Sequence, residues 1–305
     1  MTLTGTALAA RVSHTRARNG TVDLVRLLAA IIIVLFHARA PGGLFMTPAV
    51  AAFAAILAFN ACNSAPAPGG LTRRADRYLR PFLAWLAVFV VLRAVDAVLS
   101  GVSVADTLLI WFPPNGTMHH LWFLPFGFAV ASLAPWCLRH LRALAGDAGS
   151  IVLLSLAACA WLVFWLGLEL PPGVRIFGLY LPSVALGMAL ALVPQRPAPL
   201  LFAFLGCLLV GLGLRDLNVN NSAQIFFGLP VVIAALALPR PDSPVSRLAA
   251  DLSLAIYLVH PLVMAVILRL TPLEFGSPSL GLAVLACSAA VGFVLLRSPA
   301  RRIFL

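Results

Sequence analysis

The sequence has little charge and no lysine. Charged residues are 10% of the 305, against 62% hydrophobic. A soluble domain carries about 25% charged residues. So few polar groups cannot cover the surface of a soluble protein of this size. That excludes a soluble enzyme, a disordered chain and a DNA-binding protein. All 21 basic residues are arginine, against 10 acids, for a net charge of +11. In a membrane protein such an excess gathers in cytoplasmic loops, so it indicates no nucleic-acid partner. Cysteine is also scarce. Cys62, Cys137, Cys159, Cys207 and Cys287 lie in or at the ends of apolar stretches, with no paired spacing. Neither a disulfide framework nor a zinc site is expected.

What the chain has instead is long apolar runs. A membrane span needs about 20 mostly apolar residues. Ten such runs lie near 22–40, 44–62, 82–100, 120–138, 150–168, 174–193, 198–214, 223–239, 252–270 and 280–296. They predict an all-α polytopic membrane protein with about ten transmembrane helices, one domain over 1–305. The stretch Met1 to Ala10 is apolar, but its basic residues follow it, which is not the order of a signal peptide. With the N-terminus placed inside, fifteen arginines fall in inside loops and tails. Three fall outside (Arg39, Arg175, Arg215) and three within spans (Arg26, Arg93, Arg269). This asymmetry predicts that both termini are cytoplasmic. The longest loops, near 63–81 and 101–119, leave no room for an extramembrane domain.

An ionisable group inside a bilayer is costly and marks a candidate site. Span one carries Asp23, Arg26 and His37. Eleven residues separate Arg26 from His37, about 1100° of helix, or three turns plus roughly 20°. They share one face, about 16.5 Å apart along the axis. Asp23, three residues before Arg26, is placed to pair with it. In span nine, Ser253, Tyr257 and His260 share a face at i, i+4, i+7, and Pro261 follows. At the start of span four stands Met118-His119-His120-Leu121-Trp122. No carboxylate or cysteine joins these histidines at ligand spacing, so no metal is expected. After span two, Arg73, Arg77 and Arg80 follow i, i+4, i+7 with Arg74 beside them, a basic stripe suited to polyphosphate or to lipid headgroups.

With these residues in view, the sequence resembles the acyltransferase 3 family of integral membrane O-acyltransferases. Asp23-x-x-Arg26, ten residues and His37 look like the family's Arg-x10-His motif. Arg74-Ala75-Asp76-Arg77 is similar to its Lys-x2-Arg element, with arginine replacing lysine. His120-Leu121-Trp122-Phe123 and Ile256-Tyr257-Leu258-Val259-His260-Pro261 resemble two further signatures. The run Ala51 to Asn63 departs from the family, lacking its Phe-Phe-x-x-Ser-Gly-like stretch.

The resemblance implies an O-acetyltransferase of the bacterial inner membrane. The donor substrate would be cytoplasmic acetyl-CoA. The acceptor would be a hydroxyl of an exported or surface polysaccharide, or of its lipid-linked precursor. Partners would be that glycan, membrane lipids, and proteins of polysaccharide synthesis or export. His37 would act as base or as acyl carrier, with Arg26 and His260 beside it in the catalytic group. Arg73, Arg74, Arg77 and Arg80 would hold the donor. His120, Trp122, Tyr257 and Ser253 would orient the acceptor. Two other readings stay open: a transporter or flippase of a lipid-linked sugar, and a non-catalytic partner of a polysaccharide synthase.

Overall fold

The computed structural model describes residues 18–64, 69–111, 120–164, 172–194, 196–216 and 222–305. The chain runs α1 (Gly20–His37), α2 (Met46–Asn63), α3 (Gly70–Leu99), α4 (Val104–Trp111), α5 (Phe123–Phe164) and α6 (Pro172–Leu179). It continues through α7 (Leu181–Leu192), α8 (Pro197–Asp216), α9 (Leu229–Ala237), α10 (Pro244–Leu270), α11 (Pro278–Arg297) and α12 (Arg301–Phe304). No strand occurs among the described residues. The all-α expectation therefore holds. The five cysteines are free thiols.

Eight stretches among the described residues are long and apolar enough to cross a membrane. The expectation was about ten, and the difference has local causes. The runs at 120–138 and 150–168 both fall in α5, a 42-residue element broken at Gly146, where φ is 66°. The run at 223–239 corresponds to a shorter apolar helix, Gln224–Ala237. Two expected loops are partly helical. Gly70 to Arg80, read as loop, forms the first turns of α3, which passes through Pro81 and on to Leu99. The loop near 101–119 contains α4.

The start of α1 is fixed by short contacts. The Asn19 side chain accepts from the Thr21 amide at 2.9 Å and caps the helix. Its amide also donates to the Ala235 carbonyl at 2.9 Å, and the Thr21 hydroxyl donates to Leu238 at 2.6 Å. This ties α1 to the end of α9. Farther along, α1 packs on α10 and α2. Helix α10 starts in a capping box of Ser243 and Ser246, with Pro244 in its first turn.

Helix α2 is alanine-rich, and that lets neighbours approach closely. Ala51, Ala54, Ala55 and Ala58 are fully buried. A Cβ on Gly187 of α7 would run into the backbone of Ala55, and one on Gly228 would lie 2.8 Å from the Pro48 carbonyl oxygen. Small residues at such seams are how apolar helices gain packing in lipid. Gly187→Val is expected to destabilise the protein by about 1–3 kcal/mol. Gly213→Val, at a position where an added Cβ meets nothing within 4 Å, is expected to stay within about 0.5 kcal/mol. Thermal melts in detergent compare the two.

Candidate active site

One stripe along α2 is larger than the alanines around it, apolar at its start and polar at Asn60 and Ser64. Met46, Val50, Phe53, Leu57, Asn60 and Ser64 follow the 3.6-residue repeat and line a cavity of about 640 Å³. The stripe covers eighteen residues of rise, about 27 Å. The cavity therefore runs the length of a membrane span.

Its wall holds groups of two kinds. Arg26 of α1 and Arg74 and Arg77 of α3 are basic, and His37 and His120 are the lining histidines. No carboxylate is among the described lining residues, so the cavity carries positive charge. The expected pairing of Asp23 with Arg26 is present at 3.5 Å. Asp23 is buried and also accepts from Arg18 Nε at 2.6 Å. Two cations share this one carboxylate, so Arg26 is held in place without being neutralised alone.

The basic stripe divides. Arg74 and Arg77 line the cavity, but Arg73 and Arg80 do not. Arg80 pairs with Asp76 one turn back and lies 3.5 Å from the Arg302 carbonyl. Helical spacing alone grouped Arg73 and Arg80 with the site. The Asp76 pair and the contact with the C-terminal turn draw Arg80 away from it.

Three histidines converge at the other group. The ring centroids of His37 and His260 are 5.1 Å apart, and those of His120 and His260 are 5.8 Å apart. His260 is fully buried and is not part of the cavity lining. It stands behind the two lining histidines rather than where a substrate would touch it. The Tyr257 hydroxyl donates to the His120 carbonyl, fixing the segment that precedes α5. Ser253 also faces the cavity, and its hydroxyl donates back to Ala250 at 2.7 Å. His119 lies outside the described residues. Among the described residues no group of three or more His, Cys, Asp or Glu is arranged to hold a metal.

Trp122 stacks on Tyr180 with centroids 5.5 Å apart and 13° between the planes. Tyr180 occupies the break between α6 and α7, inside the expected span 174–193. A buried glutamine holds that break: Gln224 Nε2 donates to Leu179 at 2.8 Å and its Oε1 accepts from Ser183 at 2.9 Å. Sequence reasoning missed Asn60, Ser64, Tyr78 and Tyr180. A signal was there to find them. The chain has three tyrosines in all, and Tyr78, Tyr180 and Tyr257 all line this cavity.

Fold and site together define a multi-pass membrane protein with an internal cavity lined by both arginines and histidines. Residues 19–297 match the acyltransferase 3 family, described as an acyltransferase domain, so the chain belongs to that family. No curated protein and no solved structure matches the chain.

Tyr257→Phe removes the hydroxyl that holds the His120 carbonyl. It is expected to cost about 0.5–1.5 kcal/mol in a detergent melt. The carbonyl loses its donor while the aromatic packing against Phe123 and His120 is kept.

Proposed function

We propose that this protein is an O-acetyltransferase of the bacterial inner membrane, using cytoplasmic acetyl-CoA to acylate a hydroxyl of an exported polysaccharide or its lipid-linked precursor. The observation that carries the reading is one cavity whose wall holds both arginines and histidines. Ten crossings with cytoplasmic termini fit it, with α5 crossing twice about Gly146 and Gln224–Ala237 making a short passage.

Arg74 and Arg77 take the donor's phosphates, since the guanidinium fork matches phosphate oxygens in two-point contact. Arg26 extends the positive potential along the path. The thioester reaches His37, three helical turns from Arg26 on the same face. His37 takes the proton of the acceptor hydroxyl as its oxygen attacks the thioester carbonyl carbon. The carbon–sulfur bond breaks, and the thiolate leaves as thiol with that proton. Imidazole suits the role because its ordinary pKa lies near the working pH. His120 lies where it could support the developing oxyanion, and Trp122 and Tyr257 wall the acceptor side.

His37→Ala is expected to lower acyl transfer about 10²–10⁴-fold at normal membrane levels. The test is NMR and mass analysis of cell glycans from a deletion strain complemented with wild type or variant. Full acylation by His37→Ala would remove the assignment. Unchanged acylation with glycan missing from the surface would favour a transporter.

Arg74→Ala and Arg77→Ala are each expected to raise the donor KM about tenfold or more, the scale of a lost charge-assisted hydrogen bond. Arg73→Ala and Arg80→Ala are expected to leave it within about twofold. Initial rates against acetyl-CoA concentration in proteoliposomes separate the pairs.

A further inference from the structure

Proline 261 sits inside α10, one residue after His260. A proline has no amide hydrogen, so it cannot donate to the carbonyl four residues back. That carbonyl belongs to Tyr257. In its place, His260 Nδ1 lies 2.8 Å from the Tyr257 oxygen and 3.3 Å from that of Ile256. A carbonyl only accepts, so the hydrogen of a neutral His260 ring is on Nδ1. Nε2 then carries the lone pair. Nε2 is buried and has no hydrogen-bond partner among the described residues. The His260 ring has those of His37 and His120 beside it, with centroids 5.1 and 5.8 Å away.

We propose that Pro261 is a positioning residue: by leaving the Tyr257 carbonyl to His260 Nδ1, it holds the Nε2 lone pair beside His37 as the acceptor for the N–H that His37 acquires during the reaction. This rests on the reading of His37 as the base. The two rings are neighbours, with centroids 5.1 Å apart. Nε2 makes no hydrogen bond among the described residues in this arrangement, so its lone pair is left for the N–H that His37 gains. Only a hydrogen bond passes to His260. The proton itself comes from the acceptor hydroxyl, rests on His37 and departs on the thiol, so His260 ends each cycle neutral. In the opposite tautomer Nε2 would point a hydrogen at His37 and oppose its charging.

The test has a spectroscopic arm and a kinetic arm. In protein labelled with ¹⁵N-histidine and reconstituted in lipid, His260 is identified as the signal lost in His260→Asn. Wild type is expected to show His260 as the Nδ1–H tautomer. Pro261→Ala restores the backbone donor to Tyr257 and is expected to shift His260 toward the Nε2–H form. Finding Nε2–H in wild type, or no change in Pro261→Ala, overturns the proposal.

In the kinetic arm, Pro261→Ala is expected to lower kcat about tenfold or more with little change in KM. His260→Gln places an amide oxygen near the Nε2 position and is expected to keep more activity than His260→Asn. Asparagine keeps only the group near Nδ1. Equal losses in the two, with equal melting temperatures, would make His260 a packing residue and overturn the proposal. A wild-type protein that shows the expected tautomer yet transfers no acyl group would overturn the functional reading and with it the catalytic use of the tautomer.

Discussion

Between α1 and α10 the rings of His37 and His260 lie 5.1 Å apart, and the seam between these helices is what keeps them there. A slip of one residue along either helix would turn its histidine away by about 100°. Both ends of the seam are pinned. Asn19 and Thr21 tie the start of α1 to the end of α9, and the Gly276 amide donates to the Ala38 carbonyl at 2.9 Å just past its last turn. Gly281 and Gly292 of α11 meet Ala40 and Ala255 at distances that leave no space for a larger residue. The polar site is therefore placed by hydrogen bonds and close packing at its edges.

Inside a membrane, water is not available to complete a hydrogen bond, so each buried polar group needs a partner within the protein. Several buried polar residues meet that constraint in linked sets, while His260 Nε2 and the Ser288 hydroxyl are buried without a hydrogen-bond partner among the described residues. Asp23 serves Arg18 and Arg26, Gln224 serves Ser183 and Leu179, and Tyr257 serves His120. The cavity is the place where the constraint is relaxed. Arginines, histidines and all three tyrosines gather on its wall, as expected where polar substrates pass.

The shared face of Arg26 and His37 was legible because it follows from the pitch of one helix, and so was the pairing of Asp23 with Arg26. The spacing of Ser253 and Tyr257 likewise brought both to the cavity. What one helix could not reveal was which neighbours it meets. The arginines of α3 read as one stripe, yet only Arg74 and Arg77 face the cavity, since Asp76 and the Arg302 carbonyl engage Arg80. His260 read as a member of the catalytic group, yet it is fully buried and does not line the cavity. The break at Tyr180 was hidden because the sequence from 174 to 193 is mostly apolar and long enough for one span, and the buried Gln224 that supports it lies 44 residues farther on. The stripe of α2 was written in the sequence as large residues among alanines, but its direction needed the fold.

The most direct measurement is an experimental structure of the protein in lipid with a non-hydrolysable acetyl-CoA analogue. The account predicts density for the donor's phosphates between Arg74 and Arg77, and the acetyl group within reach of His37 in the same cavity. A donor bound elsewhere, or one whose acyl end lies away from His37, would contradict it.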